Sequence, residues 1–135
     1  MEKAAVSAAA PADAGAPAKT GALWVVSGSD DVLEPLEKAG EESGAHVRAA
    51  DEAPKTLPAG TVFIVEVGAT ADAREEDALR RAARAHAFTV AVLPSPTIEA
   101  FARAIRGGAR DVIAAPLDPV LIAKRALRWR TGASS

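Results

Sequence analysis

The sequence predicts an α/β fold in which five parallel β-strands form one doubly wound sheet. Apolar runs alternate with helical patterns in the order strand, helix, strand, short connection, strand, helix, strand, helix, strand, helix. That alternation is typical of a parallel sheet covered on both faces. The runs at 23–26, 62–65 and 89–93 are continuous and largely apolar, as expected of strands buried on both faces. Right-handed crossovers then favour the strand order 2-1-3-4-5.

The first crossover carries clear helix signals. Asp31 and Glu34 follow the first strand at the spacing of a capping box, and Gly44 comes later as a stop signal. We therefore expect a full helix between the first strand and a second strand at 46–49.

The second crossover is short. Residues 50–66, which lead into and through the third strand, are interrupted by Pro54 and Pro58. Proline breaks a helix because it lacks an N–H group and clashes with the preceding turn. The sequence therefore predicts a shortened second helix.

The last two helices begin at capping residues that precede a proline, in Ser95-Pro96 and Asp118-Pro119. The helix of the fourth unit precedes a last strand at 111–113. It carries an apolar stripe, expected to face the core, formed by Ile98, Phe101, Ala102 and Ile105 and stopped by Gly107 and Gly108. In the last helix the residues expected in the core are Leu121, Ile122, Ala126 and Trp129.

Composition indicates one folded domain between two tails. Residues 1–21 are rich in Ala, Pro and Gly, and we expect a disordered tail or linker because such residues bury too little apolar surface. Residues 22–130 form the predicted domain, and 131–135 a C-terminal linker. The chain has no cysteine and no apolar run near the roughly 20 residues of a membrane span, so we expect a cytoplasmic protein.

One segment is specific enough to indicate a family. Residues 107–119 read GGARDVIAAPLDP, and this run resembles the last-strand signature of bacterial response-regulator receiver domains. The resemblance covers residues 22–130 and implies a flavodoxin-like fold. It also implies a phosphorylation site at the carboxyl ends of the strands. That site has two acids after the first strand to bind Mg²⁺, a phosphate-accepting aspartate at the end of the third strand, and a lysine before the proline of the signature.

The matching positions carry other residues in this chain. Ser27 and Gly28 stand where the metal-binding acids belong, Glu66 replaces the aspartate, and Ala115 replaces the lysine. The resemblance therefore implies a degenerate, or pseudo-receiver, domain with no metal site and no cofactor. Glu66 either imitates a permanently modified aspartate or is only a solvated carboxylate. A shifted register that brings Asp30 into the metal site is a further alternative.

No other catalytic or metal-binding pattern stands out in the sequence. His46 and His86 are far apart and lack the spacing of metal ligands. No glycine-rich phosphate loop opens a helix. We therefore expect that the chain is not an enzyme.

The sequence predicts a module for protein–protein interaction in bacterial two-component signalling, motility or localisation. Charge is unevenly distributed, with −6 over residues 1–70 and +4 over residues 71–135, and such polarity can steer a partner. A protein partner or a second copy should bind the face formed by the helix of the fourth unit, the last strand and the last helix. The residues predicted to make the contacts are Arg103, Arg106, Arg110, Lys124, Arg125 and Arg128, and Trp129 is either an apolar anchor on this face or a core residue.

Two other functions stay open. The arginine cluster could bind an anionic nucleotide such as a cyclic dinucleotide, because a guanidinium group suits phosphate. A receiver that is still phosphorylated, at Glu66 or Asp30, is the third hypothesis. DNA binding is not indicated, since no helix-turn-helix motif is recognised.

Overall fold

The computed structural model describes residues 22–134, which form five parallel strands and four α-helices. The strands are β1 (Leu23–Ser27), β2 (His46–Ala49), β3 (Val62–Glu66), β4 (Phe88–Leu93) and β5 (Asp111–Ala114). The helices are α1 (Asp30–Ser43), α2 (Ala73–Arg84), α3 (Ile98–Arg106) and α4 (Pro119–Ser134). The strand order is β2-β1-β3-β4-β5, which confirms the predicted doubly wound, flavodoxin-like fold. The predicted tail at 1–21 lies outside the described residues.

The helices cover both faces of the sheet and build two apolar layers. Helices α1 and α4 pack on one face, around Trp24 and Trp129, whose ring centroids are 5.2 Å apart in an edge-to-face arrangement. Helices α2 and α3 pack on the other face, around Phe63 and Leu93. Each large side chain buried in this way contributes on the order of 1.5–3 kcal/mol to folding, so these layers hold the strand ends in place.

The second crossover lacks a full helix, as predicted. Strand β2 leads into a 3₁₀ turn at Ala50–Glu52 and then into an irregular segment that contains both prolines. The apolar side chains of this crossover that pack on the sheet are small or only partly buried: Ala50, Ala53 and Leu57. These few side chains therefore cover less of the sheet than the apolar face of a full helix would.

Two of the three predicted helix caps are wrong. The residue before α1 is Ser29, and Asp31 lies inside the first turn. Asp31 therefore interacts favourably with the helix dipole but does not cap the helix. Helix α3 is capped by Thr97, whose side chain accepts a hydrogen bond from the N–H of Ala100, in place of Ser95. The third prediction is confirmed, since Asp118 precedes α4 and its Oδ1 accepts a 2.9 Å hydrogen bond from the N–H of Val120.

Helix α4 is longer than predicted. It continues to Ser134, so residues 131–134, predicted as a linker, are helical. A Cβ atom at Gly132 would lie 2.3 Å from Cε2 of Phe88, which shows how closely this last turn packs on the domain. Within residues 22–134 no helix combines the length and the apolar character needed to cross a membrane.

Helix α3 turns its large apolar side chains outward. Ile98, Phe101 and Ile105 are exposed, and Ala100 and Ala104 face the core instead. The predicted core stripe on this helix is therefore wrong. The same holds for Leu121 on α4, which is exposed, whereas Ile122, Ala126 and Trp129 are buried as expected.

Candidate functional site

The carboxyl ends of β1 and β3 meet at one edge of the sheet, where the predicted site lies. Ser27 ends β1 and is the register partner of Val65, so Glu66 at the end of β3 stands next to Gly28. Ser27, Gly28, Ser29 and Glu66 line a cavity of about 140 Å³, together with residues that follow β3. The structure thus brings Ser27, Gly28 and Glu66 together.

Glu66 has a specific partner at this edge. Its Oε1 accepts a 2.7 Å hydrogen bond from the backbone N–H of Ser29, the residue that precedes α1. Gly28 permits this approach, because a Cβ atom there would lie 3.1 Å from both Cβ and Oε1 of Glu66. Negative charge is favourable at a helix N-terminus, where unpaired N–H groups and the helix dipole are positive. The carboxylate therefore caps α1 from a neighbouring strand and is not merely solvated.

The residues around this cavity do not fit a divalent cation. Mg²⁺ needs several oxygen ligands, usually including carboxylates, and the side chains of Ser27 and Gly28 at the end of β1 supply only a hydroxyl group. The nearby carboxylates have other partners: Asp72 accepts from the N–H of Glu75, and Glu75 is paired with Arg103. Arg74 lines the cavity and adds positive charge. Within residues 22–134, no three or more His, Cys, Asp or Glu residues are grouped to hold a metal ion.

Ala115, the residue for which the resemblance implies a lysine, carries no charge. Ala115 follows β5, and its N–H donates a 3.0 Å hydrogen bond to the carbonyl of Leu93 at the end of β4. It therefore lies at the same carboxyl edge of the sheet as Glu66. A methyl group cannot neutralise the charge of a phosphorylated carboxylate.

A buried ion pair fastens the loop after β3 to two helices. The Glu75 side chain on α2 is 4% exposed, and its Oε2 lies 3.0 Å from Nε of Arg103 on α3. Oε1 of Glu75 accepts from the N–H of Gly68, and Arg103 donates to the carbonyl of the same glycine. Both backbone polar groups of Gly68 are thus satisfied by the pair, and we call this arrangement the Glu75/Arg103 clamp.

A second polar cluster joins β5 to α4. Asp111 accepts a 2.8 Å hydrogen bond from the indole N–H of Trp129, and Nη1 of Arg125 lies 2.5 Å from its other oxygen. Burial raises the pKa of Asp111, but the hydrogen bonds from Trp129, Arg125 and the N–H of Val112 outweigh it. The pKa therefore lies below its ordinary value, and Asp111 stays ionised and ties the last strand to the last helix.

Three of the residues predicted to contact a partner are used inside the domain. Trp129 is fully buried, so its prediction as an exposed anchor is wrong. Arg103 and Arg125 are each held by a carboxylate of the domain. The predicted contact residues that are exposed and outside these ion pairs are Arg106, Arg110, Lys124 and Arg128, and Arg110 lies 5.4 Å from the ring centroid of Phe88.

Sequence reasoning missed the clamp and the outward stripe on α3. Glu75 and Arg103 are 28 positions apart, and no local pattern links them. The stripe had a usable signal: Ala100 and Ala104 stand four residues apart and form a second, smaller apolar face. Small residues let a helix approach its neighbours closely, and at the end of α3 a Cβ atom on Gly107 would lie 2.7 Å from the Leu79 side chain of α2.

The structure resembles those of receiver domains. A response regulator from Thermotoga maritima is 16% identical with a TM-score of 0.63, over 83% of this chain and 98% of that one. A CheY-like receiver domain protein from Methanospirillum hungatei is 15% identical with a TM-score of 0.64, over 84% and 95%. A receiver protein from Pseudoalteromonas atlantica is 17% identical with a TM-score of 0.63, over 83% and 98%. No family model and no curated protein matches the sequence. Residues 22–134 therefore have the fold of response-regulator receiver domains.

Proposed function

We propose that this domain is a receiver-like module that binds a protein partner without being switched by phosphorylation, and that it acts in bacterial cytoplasmic signalling, motility or localisation. The observation that carries the proposal is the hydrogen bond from the N–H of Ser29 to Glu66. It commits the carboxylate at the phosphate-accepting position to capping a helix. Ala115 supplies no cation to neutralise a phosphoryl group, which supports the same reading. The proposed role is regulatory and not catalytic.

The surface proposed to bind the partner comprises α3, β5 and α4. On α3 the side chains of Ile98, Phe101 and Ile105 are 89%, 51% and 49% exposed. On α4, Val120 and Leu121 are also exposed. Exposed apolar patches of this kind mark sites of interaction with other macromolecules.

The positive charge around this surface favours an acidic protein partner over a second copy of the chain. Arg106, Lys124 and Arg128 are exposed on α3 and α4, so two copies facing each other through this surface would bring like charges together, which is costly. A partner with apolar side chains and an acidic rim satisfies both the stripe and the cations. We therefore propose an acidic protein partner in preference to a second copy.

Thermal unfolding with Mg²⁺ and beryllofluoride tests independence from phosphorylation. We expect no change in Tm for the wild type or for Glu66→Gln, because neither has a site for the phosphate mimic. A ligand at a hundredfold excess over its Kd stabilises by about 2.7 kcal/mol, or several degrees in Tm, so binding would be easily seen. A rise in Tm for the wild type that Glu66→Gln abolishes would show that Glu66 is a working acceptor. A working receiver domain provides the positive control.

Two further measurements distinguish the alternatives. In the same assay, a rise in Tm with a cyclic dinucleotide would favour nucleotide sensing through Lys124, Arg125 and Arg128, which line one groove beside β5. Sedimentation velocity over a wide range of concentration should show a monomer. Dimerisation that Phe101→Glu abolishes would contradict the proposed acidic partner.

A further inference from the structure

The missing second helix leaves a groove on the face of the sheet that carries α2 and α3. This groove has a volume of about 490 Å³ and lies between residues 50–57 and the C-terminal half of α2. Phe63 of β3, only 4% exposed, forms its floor. Ala53 and Leu57 line one wall. The groove is therefore apolar at its base.

The strand register places a cation on the same face of the sheet as this floor, on the other side of β1. Val25 on β1 is the register partner of both Arg48 on β2 and Phe63 on β3, so the three side chains project from the same face of the sheet. Val25 and Phe63 are buried, whereas Arg48 is exposed. A parallel strand covered on both faces is normally apolar throughout. Arg48 thus marks the place on the sheet that a second helix would cover.

The rim of the groove is positively charged. Lys55, Arg81 and Arg84 line it, against one acid, Asp51. Arg81 is paired with Asp77 on its own helix at 3.1 Å. Within residues 22–134, neither Lys55 nor Arg84 forms an ion pair or a side-chain hydrogen bond, and the same holds for Arg48. Lys55 and Arg84 are therefore available to a partner at the rim of an apolar floor, and Arg48 adds a third cation further along the same face of the sheet.

We propose that this groove binds an acidic amphipathic helix of a partner protein, which completes the helical layer that the second crossover leaves unfinished. The apolar floor fits the apolar stripe of such a helix, and the unpaired cations complement acidic residues that flank the stripe. Recognition of a helix in a groove needs anchors at helical spacing. A second copy inserting its α3 stripe would bring Arg106 towards the cationic rim, so charge disfavours that occupant.

This groove and the surface formed by α3, β5 and α4 are different sites. The groove is lined by residues 50–57, by Phe63 of β3 and by the C-terminal half of α2 with Ala85, and none of these residues belongs to α3, β5 or α4. The two sites are therefore independent, and the helix-binding groove does not rest on the function proposed above.

Selection of helical peptides tests the proposal. A displayed library of random helical peptides is selected on the full chain, and binding of the selected peptides is measured by fluorescence anisotropy. We expect peptides rich in Asp and Glu, with Leu, Ile or Phe at helical spacing. The groove variant R48E/K55E/R84E should lose about tenfold or more in affinity. The control variant R106E/K124E/R128E, on the other surface, should change affinity by less than about twofold.

Several results would overturn the proposal. The proposal fails if the selected peptides bind the groove variant as well as the wild type, lose affinity only with the control variant, or carry no excess of acidic residues. Dimerisation of the chain that the groove variant abolishes would assign the groove to a second copy. Circular dichroism checks the fold of each variant. If charge reversal unfolds the domain, the neutral variant R48Q/K55Q/R84Q is used in place of the groove variant, and it should also lower the affinity for the selected peptides.

Discussion

The Glu75/Arg103 clamp yields a quantitative prediction for stability. In Arg103→Met the Glu75 carboxylate, 4% exposed, loses its cation, and the Gly68 carbonyl loses a donor. Breaking a buried ion pair by removing one partner costs about 3–5 kcal/mol. Because the Arg103 side chain is 17% exposed, water reaches part of the site. We therefore expect a loss of about 3 kcal/mol in the free energy of unfolding, at the lower end of that range.

Removing both charges should cost less than removing one. In the double variant E75L/R103M no unpaired carboxylate is buried, and apolar replacement of a buried ion pair is often close to neutral. Gly68 is only half-buried, so water can replace its lost partners. We expect the double variant to recover about 1–2 kcal/mol relative to Arg103→Met.

Urea unfolding followed by tryptophan fluorescence measures these differences, because Trp24 and Trp129 are both buried. The matched control is Arg81→Met, whose ion pair with Asp77 has side chains 51% and 57% exposed. An exposed pair of this kind contributes at most about 1 kcal/mol. A loss in Arg103→Met no larger than that in Arg81→Met, or a double variant less stable than Arg103→Met, would contradict a stabilising buried ion pair at Glu75 and Arg103.

Two further predictions concern α4. The pKa of Asp111 is lowered in the folded state from 3.8, so its contribution to stability is fully present above that pH and is lost as the pH falls through the lower folded value. Asp111→Asn should flatten this part of the stability profile measured by urea unfolding, and an unchanged profile would contradict the assignment. In Gly132→Val, the new Cβ would lie 2.3 Å from Phe88, and overpacking costs about 1–3 kcal/mol. An unchanged Tm in calorimetry would mean that residues 131–134 do not pack on the domain.

The fold was predictable because its main signals are local. The buried strands are continuous apolar runs, and the alternation of strands and helices fixes the class of sheet. Pro54 and Pro58 exclude a full second helix, and the structure has only a 3₁₀ turn there. Asp118-Pro119 marks the start of α4 correctly because a cap and the fixed φ of proline act within a few residues.

The contacts of the site were not predictable, because they join residues far apart in the sequence. Ser29 and Glu66 are 37 positions apart, and their hydrogen bond depends on the register of β1 and β3. Trp129 has the pattern of either a core residue or an anchor, and only its packing against Trp24 decides between them. On α3, a large and a small apolar stripe compete for the sheet, and the smaller one faces it because it lets the helix approach closely.

The contacts at the carboxyl edge bear on how the module is regulated. A phosphoryl group at the end of β3 would place new charge beside the loop that follows this strand. Here the Glu66 carboxylate already neutralises the N-terminus of α1, and Gly68, two residues later, is tied to α2 and α3 by the clamp. A loop held at both points has little freedom to respond to chemistry at this edge. On the proposed function, the exposed stripe on α3 is therefore presented constantly, and the amount of partner determines the output.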